Sequence, residues 1–231
     1  MTGGYGFTFI KLQFSEKAAD FMELFIFIFE IVGTVAFAVS GAMTGVAKHM
    51  DIFGVSILGL TTATGGGLIR DVILGITPPA AFVDPVYALI ACGISIVAFF
   101  AFTKRITPHE GRGKKIFDLV LLSTDSAGLG IFTVCGVRAA ISHGYFSNPF
   151  LVIFVAVVTG VGGGVLRDIF AGDRPYIFVK HIYACASLAG AVLTVLLWNA
   201  AGQSAAMLSG FAVVTAIRLL AAKFRWSLPK A

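Results

Sequence analysis

Two Arg-Asp pairs stand inside apolar runs of this chain, each shortly after a glycine triplet. One is Gly65-Gly66-Gly67 with Arg70-Asp71, the other Gly162-Gly163-Gly164 with Arg167-Asp168. An arginine at a bilayer centre costs at least ~2.5–3.5 kcal/mol on insertion scales, and such charges face a protein interior or a water-filled cavity. An arginine that merely snorkels to the head groups does not require the same glycine context twice. The chemistry these residues can do is therefore to line or latch a polar path through an apolar body. No nucleophile–base pair, metal-ligand cluster or cofactor motif stands out. No catalytic residue, metal ligand or cofactor is assigned, and an enzyme is not expected.

The glycines have two readings. Small residues let helices approach closely, and Gly41 with Gly45, or Ser40 with Thr44, fit that reading. Three consecutive glycines favour a kink instead, whose exposed carbonyls can help replace an ion's hydration shell. Asp71 and Asp168 adjoin their arginines, so on a helix they do not face them and are expected to meet another helix or water. Glu30, Asp125 and the neighbouring Ser126 also lie within apolar runs. Acidic groups at that depth attract cations or pair the arginines. Arg218, near the end of the last run, is expected to snorkel to the surface. Asp84 and Pro85 suit the first turn of a helix.

The elements that must position these residues follow from composition. Of 231 residues, 58% are hydrophobic and 13% charged, against about a quarter charged in soluble domains. Mean hydropathy is +0.93. This is an all-α integral membrane protein. A spanning helix needs roughly 20 apolar residues, and seven runs qualify: roughly 22–47, 52–75, 82–103, 116–140, 149–170, 177–198 and 204–222. Residues 1–21 form an N-terminal extension without the features of a signal peptide. A basic loop, 104–115, and a basic tail, 223–231, complete the chain. The net charge of +5 comes from residues in loops beside apolar runs, a topology signal rather than a nucleic-acid footprint. It places the N-terminus outside and the C-terminus in the cytoplasm. Cys92, Cys135 and Cys185 are scattered and read as packing residues. Thr2-Gly3-Gly4-Tyr5-Gly6 has the letters of a potassium filter but no preceding pore helix.

The motifs also pair the elements. Phe37-Ala38-Val39-Ser40-Gly41 matches Phe132-Thr133-Val134-Cys135-Gly136, as the first triplet matches the second. Residues 22–103 thus resemble 116–198, with 204–222 left over. A unit of three spans is odd, so the second copy enters the membrane inverted, an architecture of many transport proteins.

On these residues the chain resembles the prokaryotic branch of the TRIC family, the trimeric intracellular cation channels. Its carriers are Gly33 to Gly41, the duplicated GGG-x-x-RD, and Asp125-Ser126-Ala127-Gly128-Leu129-Gly130 with Phe132. The resemblance implies seven helices as two inverted three-helix repeats plus a seventh. It also implies a homotrimer with a pore in each protomer, bounded by the second and fifth spans, and potassium permeation. Permeant potassium or sodium and membrane lipid are the expected ligands, and a prokaryotic inner membrane the expected location. The Lys-Glu-Val motif of animal members is absent. Gly65–Gly67 and Gly162–Gly164 would line the path, with Arg70 and Arg167 set against Asp125, Asp71 or Asp168 as pore charges or gates. The rival is a secondary transporter of a small zwitterion such as glycine, its carboxylate held by an arginine.

Overall fold

The computed structural model describes residues 4–103, 112–179 and 182–226. All regular structure among them is helical. In chain order these are α1 (Gly4–Ala47), α2 (Ile52–Leu74), α3 (Ala80–Val83), α4 (Val86–Thr103) and α5 (Arg112–Ser142). A 3-10 turn at Tyr145–Ser147 leads to α6 (Pro149–Phe170), α7 (Tyr176–Val179), α8 (Ala184–Leu197) and α9 (Gln203–Phe224). Six are long and apolar enough to cross a membrane: α2, α4, α6, α9, the Met22–Ala47 part of α1 and the Gly113–Ser142 part of α5. Large apolar side chains such as Phe53 and Phe150 stand exposed on their outer faces, as a lipid-facing surface requires.

Two expected spans arrive in pieces. The run 82–103 is split at Asp84-Pro85 into α3 and α4, and Asp84 Oδ1 accepts the Val86 N–H at 3.0 Å. The run 177–198 becomes α7 and α8. The latter has 14 residues, about 21 Å of helix, which is shorter than the apolar layer of a bilayer. The extension before residue 22 is helical from Gly4 and continuous with the first span, so Gly4, Tyr5 and Gly6 lie in a helix rather than a filter loop. Residues 2 and 3 of that stretch, most of the basic loop (104–111), Lys180 and the end of the tail (227–231) lie outside the described residues.

The glycine triplets do not break their helices: α2 and α6 run uninterrupted through both. Their use is close approach. A Cβ at Gly66 would collide with the Thr159 carbonyl oxygen, and a Cβ at Gly163 with that of Thr62. No side chain fits between the two backbones. The partner number falls as the residue number rises, so α2 and α6 pass antiparallel. The threonine hydroxyls at this crossing bond within their own helices, Thr62 to Leu58 O and Thr159 to Val155 O, each at 2.6 Å. No polar side chain is left unsatisfied there.

The contacts also recur with partners exchanged. A Cβ at Gly128 would collide with Phe37, and one at Gly33 with Ile131 beside Phe132. Those two phenylalanines, matched in the sequence repeat, stack with centroids 5.3 Å apart. Exchange of this kind is what a self-complementary interface between two copies of one unit produces. Gly41 plays the same role between α1 and α2, where its Cβ would meet Thr62 Oγ1 and the Gly59 backbone.

Overpacking a close contact of this kind costs about 1–3 kcal/mol. Gly66→Ala and Gly163→Ala are therefore expected to lower the thermal unfolding temperature of the purified protein. Gly93→Ala on α4, where a Cβ meets nothing within 4 Å, should leave it unchanged. Equal effects at all three positions would remove the crossing from its central place in the fold.

Candidate functional site

The antiparallel crossing sets where the arginines go. The motif places each about a turn beyond the crossing, Arg70 toward one end and Arg167 toward the other. Counted along the two helices they are separated by about 18 Å of axial rise. They form the centres of two charged layers with the glycine crossing between them.

The layer around Arg167 is closed. Its side chain has 0% exposure. Nε and Nη2 donate to Asp168 Oδ1 at 2.9 and 2.8 Å. Nη1 donates to Asp125 Oδ1 at 2.7 Å and to Ser40 Oγ at 2.6 Å. The guanidinium also lies over the Tyr176 ring, 4.9 Å from its centroid. Asp168 Oδ2 is held by the Tyr176 backbone N–H at 2.8 Å. Asp125 receives two further donors, Tyr183 Oη at 3.3 Å and Arg218 Nη2 at 3.2 Å. Arg218 in turn stacks on Tyr183, 4.6 Å from its centroid. Two guanidiniums and two carboxylates thus neutralise each other with almost no water contact. Beyond them opens a cavity of about 740 Å³ whose wall includes Asp118, Asp125, Tyr176, Arg218, Arg225 and Trp226.

The layer around Arg70 is open. Arg70 Nε donates to Asp71 Oδ1 at 2.8 Å, and its side chain keeps 15% exposure. Asp71 Oδ2 accepts the Ala80 N–H at 2.9 Å. Glu30 does not reach the arginine; its Oε2 accepts from Tyr87 Oη at 2.7 Å. Between the two sits a pocket of about 110 Å³, lined by Glu30, Thr34, Thr64, Gly67, Arg70, Asp71, Tyr87 and Phe132. A carboxylate and a guanidinium therefore face one small chamber.

The structure corrects two expectations and extends a third. Asp71 and Asp168 do meet their neighbouring arginines. Each aspartate is fixed by a backbone N–H of the returning chain, at Ala80 or Tyr176, and the long arginine bends sideways to the other oxygen. Arg218 does not snorkel: it is buried against Asp125. A signal for this was present, because Ala206, Gly210, Val214, Arg218 and Ala221 recur at helical spacing on the buried stripe of α9. Asp125 proves to be the hub of one layer, whereas Glu30 belongs to the other. Ser126 lies next to the hub, buried, with no hydrogen-bond partner for Oγ among the described residues; Arg218 Nε and Thr215 Oγ1 share that condition. Sequence reasoning missed Tyr87, Tyr176 and Tyr183, and took Ser40 only as a packing residue. Nothing local in an apolar run marks a tyrosine as the partner of a distant carboxylate. No group of three or more potential metal ligands occurs among the described residues.

Comparison with known proteins places the chain among relatives. A family model described as Glycine transporter matches it twice, over residues 27–103 and 122–199, the two copies seen in the motifs. The Bacillus subtilis (strain 168) UPF0126 membrane protein YvgT is 35% identical over 199 residues, covering 86% of this chain and 93% of its own length. Among solved structures, one described under conductance through TRIC cation channels is 36% identical, with a TM-score of 0.74, covering 88% of this chain and 96% of its own. A prokaryotic TRIC channel determined in 0.5 M KCl is 32% identical, with a TM-score of 0.80, covering 89% of this chain and 100% of its own.

Removing one partner from a buried ion pair leaves an uncompensated charge, at a cost of about 3–5 kcal/mol. Asp125→Ala removes Arg218's carboxylate and one of Arg167's two, and is expected to lower the unfolding temperature of the detergent-purified protein strongly. Arg218→Met leaves Asp125 paired with Arg167 and should cost markedly less. Glu30→Gln keeps an acceptor for Tyr87 and should be close to neutral. Arg218→Met as harmful as Asp125→Ala would make Arg218, not Arg167, the partner on which the layer depends.

Proposed function

This chain belongs to the TRIC family, and from that premise we propose that it is a channel for monovalent cations, potassium above all, with its path along the antiparallel α2–α6 crossing. The observation that carries the reading is the pair of charged layers on either side of that crossing, one sealed by a neutral ion network and one opening into a pocket. The path in this state is shut at the crossing, where the two backbones touch, and at Arg167. A bare guanidinium would repel cations. Here Arg167 and Arg218 are balanced by Asp125 and Asp168, so the sealed layer presents no net positive barrier. When Arg167 is displaced, Asp125 and Asp168 are balanced by Arg218 alone, and the layer carries a net negative charge that attracts cations. Separation of α2 from α6, with bending at Gly65–Gly67 and Gly162–Gly164, would uncover the Thr62 and Thr159 carbonyls that the glycines now cover.

The finer architecture belongs to the same proposal. The exchanged contacts support two inverted three-helix repeats, with α8 as the third span of the second copy and α9 as a seventh helix. Likeness to the TRIC structures supports a homotrimer with one pore per protomer. The basic loop residues support an N-terminus outside and a C-terminus in the cytoplasm of a bacterial inner membrane.

A specific feature favours a second reading, uptake of a small zwitterion such as glycine. Arg70 and Glu30 face one chamber from opposite charges, as a carboxylate and an ammonium group would require, and the matching family model is described as Glycine transporter. The two readings separate in one preparation. Purified protein in a planar bilayer under a potassium chloride gradient is expected to give unitary currents reversing near the potassium equilibrium potential, and Arg167→Ala should raise open probability. Absence of current, together with glycine uptake into vesicles that saturates with substrate, would replace the channel by the transporter.

A further inference from the structure

The two charged layers are built from matched residues but stand in different states. Arg70 and Asp71 correspond to Arg167 and Asp168 by the repeated motif, and Ala80 to Tyr176 by the backbone N–H each gives its aspartate. Aligning Gly33–Gly41 with Gly128–Gly136 places Glu30 opposite Asp125 and Cys135 opposite Ser40. Tyr87 then corresponds to Tyr183, because each hydroxyl donates to the acidic residue of its own layer. Of the bonds that differ between the layers, one is decisive. Arg167 bridges Asp168 to Asp125, whereas Arg70 holds Asp71 alone and leaves the pocket between itself and Glu30.

We propose that Glu30 and Tyr87 are the acceptor side of a second gate in the same path. In another state of the molecule Arg70 swings onto Glu30, bridges it to Asp71 and closes the pocket, as Arg167 closes its own layer here. The inference rests on the reading of a continuous path along α2 and α6. This second gate is the weaker of the two, for two reasons. Cys135 offers Arg70 only a weak sulfur acceptor where Ser40 gives Arg167 a hydroxyl. No counterpart of Arg218 reinforces Glu30 among the described residues, because α9 belongs to neither copy. Arg70 stands apart from Glu30 while Arg167 is bonded to Asp125, as a weak gate open beside a shut strong one requires.

Bilayer recordings of single channels test this directly. Glu30→Gln and Arg70→Gln should each remove one component of the shut-time distribution and raise open probability by about threefold, the change for a gate latched some two thirds of the time. The double variant should do no more than either single change, since both remove one contact. Cys135→Ser should act in the opposite direction and lengthen that component, because it supplies the missing hydroxyl. Shut times unchanged in all four proteins, or single effects that multiply in the double variant, would overturn the gate. A change in unitary conductance alone would also count against it, since that is what a fixed surface charge does. If the wild type passes no current, the channel reading fails and the gate is judged separately. Thr34→Cys on the pocket wall, with the three native cysteines replaced by alanine, is then labelled with a small methanethiosulfonate. Labelling about threefold faster in the added presence of Glu30→Gln supports the gate, and an unchanged rate sinks it.

Discussion

A guanidinium with no exposure, inside a bundle of apolar helices, constrains everything around it. Taking a charge out of water is expensive, and attraction to a partner offsets it only with good geometry and satisfied donors. Arg167 meets that requirement with two carboxylates, a hydroxyl and an aromatic face. Those partners arrive from α1, α5, α6 and α7. Asp125 in turn draws in Tyr183, just before α8, and Arg218 of α9. Most helices of the fold therefore have one position at which they must meet. The ion network specifies how apolar surfaces that would otherwise slide past one another are to be arranged.

The glycine crossing is what makes the meeting possible. With the Gly66 and Gly163 backbones pressed against the opposite carbonyls, α2 and α6 come closer than any side chain would permit. That approach leaves no room for a continuous polar channel at the crossing. It also brings Arg167 within reach of Ser40 and Asp125 on the neighbouring helices. Between lipid-solvated helices there is little hydrophobic drive to associate, and close packing of small residues takes its place. The crossing and the charged layer thus act together: the first brings the helices near, the second fixes which residues oppose each other.

Much of this was legible in the sequence. The apolar runs predict the spans because a bilayer demands length and hydrophobicity, and the limits of α2 and α6 fall within a residue or so of the expected ones. The duplicated motif points to Arg70, Arg167 and their aspartates because a charge beside glycines is costly in two places at once. What escaped was of two kinds. Local geometry overrode a helical rule where a backbone N–H fixed Asp71 and Asp168 and let adjacent arginines reach them. Distant pairings such as Arg218 with Asp125 and Tyr87 with Glu30 depend on which helix faces which, and a single sequence carries that only as a faint periodicity. The glycine triplets do not interrupt their helices; Gly66 and Gly163 bring the two backbones into contact, which a glycine run in a single sequence does not distinguish from a kink.

A gate made of ions differs physically from one made of apolar side chains. A hydrophobic plug excludes water until it moves bodily, and it offers nothing to a permeating ion once displaced. A buried ion network is close to balanced, because its desolvation cost and its internal attraction nearly cancel. Water entering from the cavity beside Arg218 and Asp125 or from the pocket beside Arg70 lowers the first term and weakens the second. Modest motions of α6 can therefore shift the balance. Each carboxylate released then has a lost partner to replace. Under the proposed function a hydrated cation takes that place, and the group that seals the path in one state conducts in the next.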